Sequence, residues 1–235
     1  MCGHFAFRSG KGVGWHEHDS RLYGLTNRIF RNGYAAHLVA DWIPALEGVE
    51  AKLRLGATVA DLGCGYGSST ILMAEAYRMS RFIGYDYHVA SIEAAREAAK
   101  RAGVADRVSF EVGTAQTMPP GQFDLIGCFD CVHDMGDPVG VVATARRALR
   151  ANGTLLIVEP YAGDALEQNL NPIGRIFYGA STMLCTPASL AQEVGLAMGA
   201  QAGEAATHRV VTGAGFSHFR RASETPFNPI YEARP

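Results

Sequence analysis

A glycine-rich turn between an apolar run and a helical pattern constrains this sequence more than any other feature. Apart from Asp61, residues 58–62 form a short β-branched and apolar run, and residues 68–77 space their apolar side chains as a helix does. Gly63, Gly65 and Gly67 lie between them. Glycine permits positive φ and a close ligand, and the first turn of a helix leaves N–H groups unpaired. The stretch therefore predicts a strand, a tight turn and a helix, with a nucleotide-like cofactor at the turn.

The spacing of the glycines distinguishes between cofactors. A dinucleotide-binding turn typically reads G-x-G-x-x-G, whereas here Ser68 takes the sixth place and Asp61 stands two residues before the first glycine. An acidic residue followed by G-x-G-x-G at the end of a first strand resembles motif I of the class I S-adenosylmethionine-dependent methyltransferases. S-adenosyl-L-methionine is therefore the expected cofactor, and NAD is disfavoured.

Strand and helix patterns alternate along the rest of the chain. The sequence predicts strands over 81–85, 107–112, 122–129 and 153–158, the last preceded by an Asn152-Gly153 turn, and helices over 88–102 and 138–150. This alternation predicts a parallel, doubly wound α/β sheet that gathers ligands at the carboxyl ends of its strands. Two consecutive strand patterns, 213–223 and 227–233, predict a C-terminal antiparallel hairpin.

Two segments depart from this alternation. Residues 1–54 contain helical patterns over 20–30 and 35–46, and we expect them to form an N-terminal helical cap on a domain spanning 55–235. His4, His16, Glu17 and His18 within that cap are open to three interpretations: exposed surface, pocket wall or metal site. Residues 159–187 form a polar and aromatic insertion, with a helix predicted over 172–184, in the position of a lid.

Composition excludes several classes of protein. The chain has 235 residues, 48% of them hydrophobic, and this is enough for one large domain but not comfortably for two. Its net charge of −2 comes from acidic and basic residues mixed along the sequence, which argues against nucleic acid as a partner. No stretch has the apolar length of a signal peptide or a membrane span, so a cytoplasmic location is expected.

The cysteines do not suggest a disulfide framework. Their number is odd, five in all, and they are scattered, so we expect reduced thiols. Cys128 and Cys131 have C-x-x-C spacing but no second pair, and we interpret them as small apolar fillers rather than as a redox or zinc pair.

The resemblance to class I methyltransferases covers about 55–235, and shared sequence segments such as Gly-Trp-His-Glu-His extend it to about residue 10. It is closest to actinobacterial-type small-molecule methyltransferases. It implies a Rossmann-like, seven-stranded sheet with the terminal hairpin. In that group a winged-helix-like N-terminal domain often precedes the matching region. That domain is missing here, so the chain is expected to be either a short form or a fragment, and the homodimer that such a domain would mediate is left in doubt.

The resemblance also implies roles for particular residues. Motif I contributes Asp61, Gly63, Cys64, Gly65 and Gly67, with Asp61 close to the positively charged end of the cofactor. Asp86, after the second strand, would take both ribose hydroxyls, and Tyr87 would lie against adenine; a helix N-cap and core packing are the respective alternatives. Thr114 and Ala115 stand where many members have an acidic residue that contacts adenine. Phe129 and Asp130 follow the fourth strand, where the family surrounds the amino-acid part of the cofactor.

The acceptor side is expected just past the fourth strand. His133 and Asp134 resemble the family segment that faces the acceptor, and His133 would assist proton removal as a group titrating near neutrality. The plainer interpretation is a loop histidine bonded to nearby backbone. His16 is a second catalytic candidate, and no metal is assigned. Pro229 falls within the last strand, where a missing N–H predicts a bulge or a locally unpaired edge.

Three functions are compatible with these patterns. The first is a methyltransferase acting on a small molecule such as a secondary metabolite. The second is a non-catalytic S-adenosylmethionine-binding module, since Thr114 and Pro229 depart from the family pattern. The third is an NAD(P)-dependent oxidoreductase, which the glycine spacing and the terminal hairpin disfavour.

Overall fold

A computed structural model describes residues 2–235, with side chains from residue 6 onward, so the His4 side chain lies outside the described residues. Nine helices and seven strands make up the described chain, with short 3₁₀ turns between some of them. The helices are α1 Cys2–Ser9, α2 Ser20–His37, α3 Val49–Leu55, α4 Ser68–Ala76, α5 Val89–Arg101, α6 Pro138–Ala148, α7 Pro172–Met183, α8 Cys185–Leu190 and α9 Gly203–Gly213. The strands are β1 Thr58–Leu62, β2 Arg81–Asp86, β3 Val108–Val112, β4 Phe123–Phe129, β5 Leu149–Val158, β6 His218–Glu224 and β7 Pro229–Arg234.

The seven strands form one sheet in the order β3-β2-β1-β4-β5-β7-β6. The first five are parallel, and β7 inserts antiparallel between β5 and β6. The doubly wound sheet and its terminal hairpin are therefore confirmed. Because parallel strands end at one edge, the residues that follow β1, β2, β4 and β5 meet there.

The sheet is covered on both faces, which is why its central strands are almost continuously apolar. One core cluster takes residues from α2 to α5, including Trp42, Leu53 and Met73, none of them accessible to solvent. The other takes residues from α6 and α9, including Val142 and Val211. The strand ends are thus held by rigid packing on two sides.

The N-terminal helices differ from the prediction. One continuous helix, α2, replaces the two predicted segments, and a π-helical stretch, Leu38–Trp42, follows it directly. Gly33 lies inside α2, although glycine costs about 1 kcal/mol in a helix interior. Tyr34, Leu38 and Trp42 bury one side of this segment against the sheet, and that burial outweighs the glycine.

The C-terminal half contains two further differences. Asn152-Gly153 is not a turn before β5, because β5 starts at Leu149 and the pair lies at an irregularity in its register with β4. Pro229 is the first residue of β7, a position that needs no ladder donor. The bulge of the hairpin lies on the other strand, between Arg221 and Ser223. Helices α8 and α9 were not predicted.

Candidate cofactor and acceptor site

The motif I loop makes a left-handed turn at each of its three glycines, with φ of 76°, 51° and 75° at Gly63, Gly65 and Gly67. The reasons for glycine differ among the three positions. A Cβ on Gly67 would lie 2.5 Å from the Phe110 ring, and one on Gly63 would lie 3.0 Å from the Cys131 sulfur. A Cβ on Gly65 would meet nothing within 4 Å. The other two glycines permit packing, whereas Gly65 faces open space that a ligand can approach.

The Asp86 carboxylate ties this loop to the end of β2. Its Oδ2 accepts from the Gly65 N–H at 2.9 Å, and its Oδ1 accepts from the His88 N–H at 2.8 Å. Burial raises the pKa of Asp86, although these two backbone donors act in the opposite direction. Each carboxylate oxygen retains a second lone pair. A bidentate contact to a diol therefore remains available beside Gly65.

The segments after β2 and β3 lie side by side. The Gly113 N–H donates to the Asp86 carbonyl at 3.0 Å, so residues 113–115 lie next to the end of β2. Tyr87 is 45% exposed, which excludes full core packing. Thr114 is exposed, and its hydroxyl caps a 3₁₀ turn by accepting from the Gln116 N–H at 3.3 Å, while Ala115 is buried. These residues border the open space beside Gly65 at the carboxyl ends of the strands, hereafter the cleft.

Asp130 ends β4 in a left-handed conformation, with φ of 51°, which is uncommon for a residue other than glycine. Its Oδ2 accepts from the Tyr34 hydroxyl at 2.8 Å and its Oδ1 from the Asn228 amide at 3.0 Å. Burial and the nearby Glu159 raise the pKa of Asp130 to about 7. The Phe129 ring packs against Tyr34, with 5.6 Å between ring centroids. Contacts from α2 and from Asn228, the residue directly before β7, thus hold the turn in place.

His133 is buried in a 3₁₀ turn after β4 and lies between two carboxylates. Its Nδ1 is 2.5 Å from Glu159 Oε2, and Glu159 Oε1 accepts from the Val132 N–H. Its Nε2 is 3.1 Å from Asp134 Oδ1 without hydrogen-bond geometry. Burial lowers the pKa of His133, but Asp134 and Glu159 outweigh burial and raise that pKa well above the ordinary value. The prediction of titration near neutrality is therefore wrong, because sequence spacing does not show that Glu159 lies beside the imidazole.

Helix α2 lies across the mouth of the cleft. Tyr23 packs on the His88 ring at 4.5 Å, and Asn27 accepts from the Ser68 hydroxyl at 2.7 Å. Together with Tyr34, these residues place one face of α2 over the ends of β2, β1 and β4. The pattern of residues 20–37 predicts a helix but gives no sign of what that face covers.

The N-terminal segment also meets the insertion after β5. The Val13 N–H donates to the Pro187 carbonyl at 3.0 Å. His16, a catalytic candidate from the sequence, lies in an exposed 3₁₀ turn, Trp15–Glu17. Trp15 of that turn packs against Tyr23, with 5.3 Å between ring centroids. The turn is thus held at the rim of the cleft, while His133 is enclosed.

Residues 53–205 match the sequence profile of a family described as methyltransferase domain, and this match covers more than half of the chain. The chain belongs to the methyltransferase-domain family. S-adenosylmethionine is the methyl donor of this family. The family relationship agrees with the motif I resemblance and with the order of the sheet.

Curated relatives match part of this methyltransferase domain. The 27-O-demethylrifamycin SV methyltransferase of Amycolatopsis mediterranei is 31% identical over 131 residues, which are 52% of this chain and 48% of that protein. A ubiquinone biosynthesis O-methyltransferase of Pseudomonas paraeruginosa is 31% identical over 123 residues, which are 51% of this chain and 49% of the relative. The chain spans about half the length of these curated relatives.

Solved structures share the fold over nearly the whole chain. The mitomycin 7-O-methyltransferase MmcR covers 100% of this chain with a TM-score of 0.66 at 19% identity, and 66% of MmcR is matched. A structure of PigF with SAH covers 98% of this chain with a TM-score of 0.67 at 17% identity, and 65% of PigF is matched. At these identities the comparison shows the fold alone.

The site of this methyltransferase domain fits a cationic cofactor. Asp61 is buried beneath the motif I loop, where its Oδ2 accepts from the Ser69 and Thr70 hydroxyls at 2.6 Å. Its Oδ1 is buried and has no hydrogen-bond partner among the described residues. Burial raises the pKa of Asp61 to about 6, against which the two hydroxyls act. A buried acceptor without a donor is costly, so a positively charged ligand would stabilise it.

The charges around the cleft agree with this fit. Asp61, Asp130, Asp134 and Glu159 all lie near the strand ends, and none of them pairs with Lys or Arg within residues 6–235. Buried carboxylates normally have cationic partners, and these four lack a Lys or Arg partner within that range, so the cleft has an excess of negative charge.

Sequence reasoning missed Tyr34, Glu159 and Asn228. The one available signal was a glutamate directly after the apolar run of β5.

In the described chain, no helix combines the length and the apolar content needed to cross a bilayer.

Proposed function

We propose that this domain transfers a methyl group from S-adenosylmethionine to a hydroxyl group of a small-molecule acceptor. The observation that carries the proposal is the buried, unpartnered Oδ1 of Asp61 beneath a loop whose central glycine, Gly65, faces open space. A cationic ligand that lies close to the backbone at Gly65 would fill the open space there and would stabilise the Asp61 carboxylate.

The proposed position of the cofactor is along the carboxyl ends of the strands. Asp86 would accept from both ribose hydroxyls beside Gly65, and Tyr87 with Thr114 and Ala115 would border the adenine. The amino-acid part would lie between Asp61 and the left-handed turn at Asp130. When bound, the cofactor would supply an electrophilic methyl group on a sulfonium, so that an acceptor oxygen bonding to that carbon would release the sulfur as neutral S-adenosylhomocysteine.

The protein's contribution to that reaction is mostly positioning and exclusion of water. Helix α2 covers the cofactor side through Tyr23, Asn27 and Tyr34. Residues 159–187, the insertion after β5, would cover the acceptor side, and they meet the N-terminal segment at Pro187. We propose that residues 1–54 act as a cap that, with the insertion, encloses the acceptor.

The cluster of His133, Asp134 and Glu159 would take up the acceptor's proton. The cluster contains two carboxylates and one imidazole, so it can still bind one proton when the imidazole is already protonated. Titratable groups this close to one another gain and lose protons as a unit. Glu159 holds the imidazole by Nδ1, and Asp134 lies on its Nε2 side. Because the raised pKa of His133 keeps the ring protonated near neutrality, the two carboxylates carry the free lone pairs of the cluster, and His133 would position them while the cluster accepts the proton.

The acceptor class comes from the relatives. By their names, one curated relative is a 27-O-demethylrifamycin SV methyltransferase and the other is a ubiquinone biosynthesis O-methyltransferase. An acceptor hydroxyl on a polycyclic or aromatic metabolite is compatible with the proton-accepting cluster, since a hydroxyl must lose its proton when it is methylated.

Titration and methyl transfer together test this function. Calorimetric titration should show binding of S-adenosylmethionine and S-adenosylhomocysteine but not of NAD. The protein is then incubated with methyl-labelled cofactor and an extract of aromatic metabolites, and label should appear in small molecules. Binding without transfer to any hydroxylated acceptor would favour a non-catalytic module, and binding of NAD alone would favour the oxidoreductase.

A further inference from the structure

A group of metal-ligating side chains lies at the acceptor end of the cleft. His133, Asp134 and Cys185 each offer one ligand atom, and these three atoms lie within 4.8 Å of one another. His133 and Asp134 come from the turn after β4, and Cys185 is the first residue of α8 in the insertion. Residues separated by 51 positions are thus brought together only by the packing of α8 on that turn.

We propose that His133, Asp134 and Cys185 form a binding site for Zn²⁺ or a similar borderline-soft divalent cation. One nitrogen, one carboxylate oxygen and one sulfur are ligands that zinc accepts, and three protein ligands leave a fourth tetrahedral position open. Zinc bonds of roughly 2.0–2.3 Å place ligand atoms about 3.5 Å apart. The observed separations require only small side-chain movements to reach that arrangement.

The surroundings of His133 support this site. Its Nδ1 is already engaged by Glu159, and Glu159 is itself fixed by the Val132 N–H at 3.0 Å. A carboxylate on the outer nitrogen of a metal-binding histidine orients the ring and raises its basicity. The ring nitrogen left for a metal is Nε2, the one that faces Asp134 and Cys185.

An independent observation points to a cation at the same place. Asp134 Oδ1 is buried and has no hydrogen-bond donor among residues 6–235, although His133 Nε2 is only 3.1 Å away. A buried acceptor of this kind is expensive, and coordination to a cation would satisfy it. No Lys or Arg in the described chain approaches Asp134 or Glu159 to take that role. The nitrogen and sulfur donors favour zinc over magnesium, which prefers oxygen ligands.

The N-terminal residues considered from the sequence are less suited to a metal. The Glu17 carboxylate accepts from the Gly14 N–H at 2.6 Å, and His16 is exposed. Within the residues whose side chains are described, the only three-residue group of such ligands is the one at His133. His16 and His18 nevertheless provide a rival site that an experiment can separate.

Zinc binding is measured on the full chain, independently of methyl transfer. The wild-type protein competes with a chromophoric chelator for Zn²⁺, with a phosphine reductant present to keep the thiols reduced. In a separate measurement, Co²⁺ replaces Zn²⁺, and a near-ultraviolet charge-transfer band shows that a thiolate binds the metal. Cys185→Ala should weaken binding by at least about 100-fold and remove the band, and Glu159→Gln should weaken binding by about 10–100-fold. Cys128→Ala removes a different buried thiol and should change neither.

Several results would overturn the site. These are absence of one-to-one binding at micromolar Zn²⁺, unchanged binding in Cys185→Ala, and loss of binding on replacing His16 and His18 instead. Circular dichroism of each variant guards against a change of fold. One consequence rests on the proposed function: bound zinc occupies Nε2 and Asp134, so loading should stop methyl transfer. An enzyme that binds zinc through Cys185 and stays active would refute the proton role of His133 but not the metal site.

Discussion

The cofactor side and the acceptor side of the cleft are built differently. On the cofactor side, the central contact joins the Gly65 N–H to Asp86, 21 positions apart, through the turns that end β1 and β2. On the acceptor side, the turn that carries His133 is held by Glu159, 26 positions from His133, and by Ser189, whose hydroxyl donates to the Met135 carbonyl 54 positions away. One side depends on backbone groups of neighbouring elements, and the other depends on side chains from distant ones.

This difference has a physical consequence for substitutions. On the cofactor side, the contacts use backbone N–H groups and glycines. Substitutions of neighbouring side chains should therefore have little effect there, whereas a larger side chain in the loop itself should block the ligand. The acceptor side instead depends on the identity of carboxylates and an imidazole. A change of volume should therefore act most strongly on the first side, and a change of chemistry on the second.

The largest effect is expected from Gly65→Val. The new side chain would enter the space left for the cofactor, so affinity for S-adenosylhomocysteine should fall by more than about 10³-fold. The fold should persist, because a Cβ at this position meets nothing within 4 Å. Gly103→Val is the matched control, since Gly103 has φ of 69° and equally open surroundings. Titration and circular dichroism are the measurements, and normal binding by Gly65→Val would show that the cofactor does not approach this loop.

His133→Ala tests the acceptor side by itself. Loss of the imidazole that positions the proton-accepting cluster should reduce turnover by about 10²–10⁴-fold and leave affinity for S-adenosylhomocysteine nearly unchanged. Steady-state turnover with an identified acceptor, together with calorimetry, provides both values. His218→Ala removes an exposed histidine on β6 and should change neither. If His133→Ala keeps most of its rate, the imidazole only supports the loop.

Asp86→Ala returns to the cofactor side. The variant loses a carboxylate that would accept from two ribose hydroxyls, so binding should weaken by roughly 2–4 kcal/mol. Asp106→Ala, which removes an exposed carboxylate beside Arg107, is the control. Near-wild-type affinity for S-adenosylhomocysteine in the Asp86 variant would remove the ribose assignment.

The smallest effect concerns pH and Asp61. Its pKa is about 6 in the folded chain and 3.8 ordinarily. The folded protein therefore keeps a proton that the unfolded chain has released, and ligand-free stability falls as pH rises from about 4 to 6. A cationic ligand favours the carboxylate, so its affinity should rise with pH, by up to about tenfold per unit below pH 6.

Titrations of S-adenosylmethionine between pH 5 and 8 measure this dependence. Asp61→Asn should lose the part that belongs to Asp61, and any dependence that remains would come from Asp130, whose pKa is about 7. An unchanged profile in Asp61→Asn would mean that Asp61 does not face the charge of the cofactor.

Much of the cofactor side could be predicted because its signals are local. The apolar run of β1, the glycines and Ser68 predicted strand, turn and helix, and the structure has β1 and α4 within one residue of those bounds. Helix α7 was likewise predicted to within one residue. The prediction of a turn at Asn152-Gly153 was wrong, because asparagine and glycine are favoured both in turns and at irregularities within a strand.

The sequence by itself determined the doubly wound sheet, its terminal hairpin, the position of motif I and the candidate status of Asp61, Asp86 and His133. The sheet, the hairpin and motif I depend on periodicity and on residues only a few positions apart, and the roles of the three residues depend on the resemblance to class I methyltransferases. The tertiary structure alone decided that α2 is continuous and covers the strand ends, and that Glu159 and Cys185 stand beside His133. Such contacts join elements far apart in the chain, and their pairing depends on how whole helices pack, which no short window of sequence encodes.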